Sequence, residues 1–492
     1  MLERITAQTT SGPVVGRSKE DVYLFAGIPY AAAPVDELRF KPPQPREPWS
    51  EPFQALKFGP AAPQVPGGGL TDSASVRWSE DCLSLNVSTP ACDDGKRAVL
   101  VWIHGGGYRT GQGSIPWYNG ARFSRHGDIV VVSINYRLGA LGFTDLSHLG
   151  PDYALSSVCG TLDQIAALQW VQQNIGAFGG DPERVTIAGE SAGGFSVSTL
   201  LGCPSAQGLF QRVIAQSGGA QHTLPKAAST QVTERFLSEL DLDTSAGLAT
   251  APVETILAAQ NQTITYFESN NGAQNTLGVA VSPFYPAHEN GLLAQSPLQN
   301  IREGCGQSVA LLTGSNTHET TLWGYGKIDS EKLQRIAESY GATEVLETYR
   351  RQRPNADIEE LLIALTTDHM FRMPALRLAE ARQAQSPDNW LYQFNWSSRA
   401  FDGRLKATHA LEIPFAFNNL DRAGVDVFIG PGATPQGLAN TMHEAWTQFI
   451  NDGDPGWPRY RLPTRATMFF DETSRVIDNP GAAERQAWDG VR

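Results

Sequence analysis

The chain has 492 residues, 38 Lys and Arg against 51 Asp and Glu, and a formal charge of -13, which opposes the cationic face that nucleic-acid phosphates or an anionic membrane surface demand. A chain of this length buries roughly three quarters of the surface its unfolded form exposes, and its five cysteines, an odd number without C-x-x-C, read as reduced thiols rather than a disulfide framework or zinc site. No charged segment followed by an apolar run opens the sequence, and no stretch nears the ~20 apolar residues of a membrane span, so the expectation is a cytoplasmic protein with no membrane partner.

In chain order, Pro60 to Ser75, with Gly67-Gly68-Gly69, reads as a surface loop. Ala98 to Ile103, Ile129 to Ile134 and Val185 to Ala188 are short, continuous apolar runs ending in turn residues. Such runs suit central strands buried on both faces. Between the last two, Ile165, Leu168, Val171 and Ile175 mark one face of a crossover helix that stops at Phe178-Gly179-Gly180-Asp181-Pro182. Strand, helix, strand predicts an α/β fold with a mostly parallel central sheet flanked by helices. The stretches 223–295 and 330–384 turn mainly helical and are expected as insertions over the sheet. No repeat or linker divides the chain, so residues 1–492 are expected to form a single domain.

Gly189-Glu190-Ser191-Ala192-Gly193 has the form G-x-S-x-G between a strand and a helix. That setting holds a serine hydroxyl out on a tight elbow at the carboxyl end of the sheet. His104-Gly105-Gly106-Gly107-Tyr108 ends another strand, and its glycines let main-chain N–H groups approach an oxyanion. The expected oxyanion hole is Gly106, Gly107 and Ala192. Glu190, Tyr108 and Ser217 are further near-site candidates. A nucleotide reading fails, because no Lys-Ser/Thr follows Gly111 and Thr110 occupies the last glycine position of G-x-G-x-x-G. The serine needs a later acid and histidine. His318, His369, His409 and His443 lie far enough downstream. His409, in a small-residue loop, and Glu319, just past the strand Val309 to Thr313 and the turn Gly314 to His318, fit best; spacing alone leaves any one of them as a solvated surface residue.

These motifs resemble the type-B carboxylesterases, the cholinesterase-like branch of the α/β hydrolases. The likeness also spans Phe25 to Ala31, Leu38-Arg39-Phe40, Ser79 to Val87 and Asn135-Tyr136-Arg137-Leu138-Gly139. It implies the α/β-hydrolase fold, a triad of Ser191, Glu319 and His409, an acyl-enzyme, and neither metal nor cofactor. No H-E-x-x-H occurs either. Thr320 stands where the family pattern G-x-N-x-x-E-G has its last glycine, and Glu412 follows the histidine as in the family. The C-terminal stretch looks most like bacterial para-nitrobenzyl esterases, with aryl-carbamate hydrolases close by. No cysteine precedes Cys82 to pair with it as in secreted members, so the resemblance implies a bacterial-type intracellular enzyme with unused sequons at Asn86, Asn261 and Asn395. The implied substrates are small neutral esters with aryl, benzyl or short-to-medium alkyl groups. Choline esters are disfavoured because Asp72 occupies the place of the family's choline-binding tryptophan and Trp78 is too near Cys82. Carbamate or amide hydrolysis by the same triad is the alternative, a non-catalytic binding module the remote one, and oligomeric state is open. An ordinary histidine base sets an expected activity pKa of about 6–7.

Overall fold

The computed structural model describes residues 3–65, 76–242, 244–270, 282–323 and 326–491. The triple glycine at 67–69 and Asp72 lie outside them. Its strands are β1 (Arg4–Thr9), β2 (Gly12–Lys19), β3 (Val22–Pro29), β4 (Phe53–Gln54), β5 (Ser84–Thr89), β6 (Arg97–Ile103) and β7 (Val130–Ile134). The second half adds β8 (Gly180–Glu190), β9 (Arg212–Gln216), β10 (Ala310–Asn316), β11 (Asn389–Phe394), β12 (Ala466–Phe470) and β13 (Arg475–Asp478). They form one sheet in the order β1-β2-β3-β5-β7-β6-β8-β9-β10-β11-β12-β13, with β4 beside β2. From β7 through β12 every pairing is parallel, and the strands outside that run pair antiparallel along the sheet order.

The apolar runs are strands because each of their two faces has its own core to enter. On β6, Val99, Val101 and Ile103 join one buried cluster while Ala98, Leu100 and Trp102 join the other, as the two-residue strand period requires. The crossover helix Cys159–Asn174 brings Ile165, Leu168 and Val171 to the first face. The helix Gln436–Asp452 covers the second with Met442, Trp446 and Phe449. Gly179, at φ 77°, ends the turn after the crossover helix, and the next strand begins at once at Gly180, five residues earlier than the apolar run suggests.

Helices Lys226–Leu240, Ser245–Thr250 and Val253–Asn270 fill the described part of the first expected helical stretch up to residue 270. Helices Ser330–Ser339, Thr343–Gln352, Ile358–Thr367 and Met373–Ala381 fill the second, the last two joined by a π-helical turn over Asp368–Arg372. Among the described residues no helix is long and apolar enough to cross a membrane.

The Asn135–Gly139 segment braces the glycine loop at the end of β6. Tyr136 donates its hydroxyl to His104 O, and Gly139 N donates to Tyr108 O. Arg137 is locked to the crossover helix, giving Nε and Nη2 to Asp163 and Nη1 to Lys41 O, with both side chains almost wholly buried. Removing one member of such a pair strands the other as an uncompensated buried charge. Asp163→Asn is therefore expected to lower the unfolding free energy by about 3–5 kcal/mol, measured by urea titration; an unchanged midpoint would remove the pair from the fold's supports.

Candidate active site

Ser191 lies between β8 and the helix Ala192–Leu201 with φ 57° and ψ -123°, a region that L residues enter only when their surroundings force it. The force is visible. Ser191 N donates to Gln216 O on β9, and Phe195 N donates to Ser191 O. Close approach needs the flanking glycines: a Cβ on Gly193 would meet Ile103 O at 2.0 Å, and one on Gly194 would meet Gln216 O at 2.4 Å.

The glycine loop lies against this elbow. A Cβ on Gly105 would stand 2.6 Å from Glu190 O and 3.1 Å from Ser191 Cβ. Gly106 and Gly107 have φ of 113° and 61°. A Cβ on Gly106 would strike Thr110 O at 2.2 Å, whereas one on Gly107 would meet nothing within 4 Å, so Gly107 is a glycine for its φ alone. Ala192, buried, is the first residue of its helix, where backbone N–H groups have no intrahelical acceptor. Tyr108 turns away into the core, its ring against Phe143 and Tyr285 and its hydroxyl 3.2 Å from Ser196 Oγ.

Glu319 and His409 meet directly, Oε2 to Nδ1, at 2.6 Å. The strand before Glu319 runs three residues beyond the expected Thr313 end, through Asn316 of the expected turn. Asn316 N donates to Glu319 Oε1 at 2.7 Å and Ser217 Oγ donates to the same oxygen at 2.6 Å. His409 N donates to Glu319 O and His318 N to Ala407 O, which ties the two turns together. Of the other histidines, His318 and His443 are held below the ordinary imidazole range, at about 4, first by burial.

The second nitrogen of His409 faces an unexpected partner. Nε2 lies 3.1 Å from Glu190 Oε1, and Ser191 Oγ makes no hydrogen bond to it among the described residues; resting hydrogen bonds of this kind often close only around substrate. Glu412 completes the surroundings, its carboxylate accepting from Gln216 Nε2 and Asn316 Nδ2. Burial lowers the His409 pKa, but the charges of Glu190 and then Glu319, with the Glu319 hydrogen bond, outweigh it and lift the value to about 9. Burial, opposed by His409 and reinforced by Glu412 and Glu319, pushes Glu190 up to about 8. The adjacent carboxylates thus hold this imidazole above the ordinary histidine range on which the expected activity pKa of 6–7 was based.

Sequence reading missed the amides Gln216 and Asn316 and the walls of the site. Asn316 was legible in principle, three residues before Glu319 in the quoted pattern. The ring of Trp323 lies 5.2 Å from that of His409, and the ring of Phe371, from the π-helical turn, lies 4.8 Å away. No sequence signal joins residues 371 and 409.

The Carboxylesterase family profile matches residues 3–480. The chain is 36% identical to the para-nitrobenzyl esterase of Bacillus subtilis (strain 168) and 33% identical to the phenmedipham hydrolase of Pseudarthrobacter oxydans, each over 97% of both chains. Among solved structures it resembles the carboxylesterase of Geobacillus stearothermophilus, at 36% identity, a TM-score of 0.87, and coverage of 98% of this chain and 99% of that one. With the profile and these relatives spanning nearly its whole length, this protein belongs to the carboxylesterase family and is a carboxylic ester hydrolase with the α/β-hydrolase fold.

Proposed function

We propose that the protein hydrolyses small neutral carboxylic esters through an acyl-enzyme on Ser191, with His409 as base and Glu319 as the acid that orients it. The 2.6 Å contact between Glu319 and His409 beside the Ser191 elbow carries this reading. Glu319 holds Nδ1–H, so Nε2 is the nitrogen left to take the Ser191 proton. Attack on the ester carbonyl forms a tetrahedral intermediate, whose oxyanion receives the N–H groups of Gly106, Gly107 and Ala192. Each such donor is worth about 3–4 kcal/mol of transition-state stabilisation. The imidazolium then gives its proton to the leaving alcohol, and water activated by the same nitrogen releases the acid.

The flat apolar faces of Trp323 and Phe371 beside His409 support aryl and benzyl esters. The likeness to a phenmedipham hydrolase favours aryl-carbamate turnover as the second reading, since the triad itself does not select between the two leaving groups. A reducing cytoplasmic location belongs to this proposal and is supported by five cysteines without partners in the structure. No choline preference is assigned, in keeping with Asp72 and Trp78 in the sequence.

The direct test of the nucleophile is covalent. An organophosphate is expected to modify Ser191 once, located by peptide mapping, and Ser191→Ala to abolish turnover of para-nitrophenyl esters; a variant retaining wild-type activity would sink the assignment. A panel of aryl esters, alkyl esters, aryl carbamates and anilides separates the two substrate readings.

The base must be neutral to act, and its folded pKa is raised, so activity is present above that pKa and is lost as pH falls through it. The acidic limb of kcat/KM is therefore expected above pH 7, because the His409 value stands at about 9. Glu190→Gln removes the largest charge lifting it and is expected to move the limb to lower pH. A wild-type midpoint below 7, or an upward move in the variant, would refute the role of Glu190.

A further inference from the structure

Thr320 directly follows Glu319. Its side chain is wholly buried, and its Oγ1 lies 2.7 Å from Thr366 Oγ1 on the helix Ile358–Thr367. Thr366 Oγ1 also lies 2.8 Å from Leu362 O and 3.3 Å from Ile363 O. A hydroxyl has one proton and a carbonyl has none to give. The Thr366 proton therefore goes to its own helix, and the bond between the threonines runs from Thr320 to Thr366.

That direction matters because of what each side carries. The turn Glu319–Leu322 bears the acid and leads into Trp323. The helix of Thr366 runs straight into the π-helical turn that carries Phe371. Both rings face His409, at 5.2 and 4.8 Å, and lie 5.8 Å from each other. On the opposite side, Thr321 Oγ1 lies 2.7 Å from Leu405 O and 2.7 Å from Thr408 Oγ1 of the histidine loop, and 3.0 Å from His318 O of its own turn. Three consecutive residues thus place Glu319 against the imidazole, Thr320 against the helix and Thr321 against the loop. Glycine at 320 would leave the acid's turn without its tie to that helix.

We propose that Thr320 is a positioning residue, whose hydroxyl bond to Thr366 sets the acid Glu319 and the aromatic wall of Trp323 and Phe371 in one register around His409. This rests on Glu319 being the triad acid. It acts through Glu319 and the wall, touching no substrate itself. Because Thr320 is the donor, the two ends of the bond are unequal. Thr320→Val removes one donor and leaves Thr366 satisfied by its helix, whereas Thr366→Val leaves a buried hydroxyl with no acceptor, the costlier defect.

The test measures kcat, KM and the pH dependence of kcat/KM for para-nitrophenyl butyrate in Thr320→Val, Thr320→Gly, Thr320→Ser, Thr366→Val and Glu319→Gln, with circular dichroism to show that each is folded. Thr320→Val and Thr320→Gly are expected to lower kcat by about tenfold with KM nearly unchanged, since a small misplacement of an acid acts on turnover. Thr366→Val should be worse, and Thr320→Ser should keep nearly all activity. His409 is faced by Glu190, Glu319 and Glu412. Loosening Glu319 weakens its hold on the imidazolium, so the acidic limb should move to lower pH in Thr320→Val and Thr320→Gly and stay in place in Thr320→Ser. Unchanged kcat and pH profile in folded Thr320→Val and Thr320→Gly, with Glu319→Gln inactive, would overturn the proposal and leave the triad standing. Full activity in Glu319→Gln would overturn both.

Discussion

Three buried carboxylates share one imidazole, and their unequal supply of hydrogen-bond donors decides what each of them does. Like charges in a dry site cannot all be carried at neutral pH. Glu319 accepts from Asn316 N, Ser217 Oγ and His409 Nδ1, and so has the groups that a carboxylate needs. Glu412 has two amide donors, and burial with the Glu319 charge lifts it above the usual carboxylate range. Glu190 has no hydrogen-bond donor among the described residues, only the imidazole 3.1 Å away, and it is pushed up to about 8. The same residue type therefore supplies a well hydrogen-bonded partner for Nδ1 on one side of the ring and a buried carboxyl short of donors on the other.

The sheet is what places these groups together. In the parallel register Glu190 pairs with Gln216, and Gln216 pairs with Gly314 two residues before Asn316. The carboxyl ends of β8, β9 and β10 thus deliver Glu190, an amide and the turn of Glu319 side by side. Their spacing is fixed by the backbone hydrogen bonds of the parallel ladder. His409 and Glu412 come from one loop, and it is pinned by the paired bonds His409 N to Glu319 O and His318 N to Ala407 O.

Sequence reading reached the elements whose signal is local. The runs at Ala98, Ile129 and Val185 are strands because apolar continuity and central burial are the same constraint seen twice. The elbow and the glycine loop were legible because backbone approach forces glycine at particular spacings, as Gly193 against Ile103 O shows. Glu319 and His409 came from resemblance rather than spacing, since 90 residues separate two side chains that touch. The contact of Nε2 with Glu190 was out of reach, because Glu190 carries the same motif letter whether its side chain turns to the imidazole or to solvent. Phe371 was out of reach for a further reason: a π-helical turn shifts which residue of a helix faces the site, and the apolar pattern around Met370 and Phe371 does not announce it.

Gln216 shows how the strained serine and the carboxylates are held by one residue. Its carbonyl accepts from Ser191 N and so supports a backbone conformation that costs about 1–3 kcal/mol for a residue other than glycine. Its side chain accepts from Trp446 Nε1 through Oε1 and donates to Glu412 through Nε2. An indole can only donate, so Oε1 must face Trp446 and Nε2 is the end left for Glu412. That orientation binds the helix Gln436–Asp452 to the acidic cluster from behind the sheet. The elbow, the carboxylates and the covering helix are thereby fixed by the main chain and side chain of one strand-end glutamine.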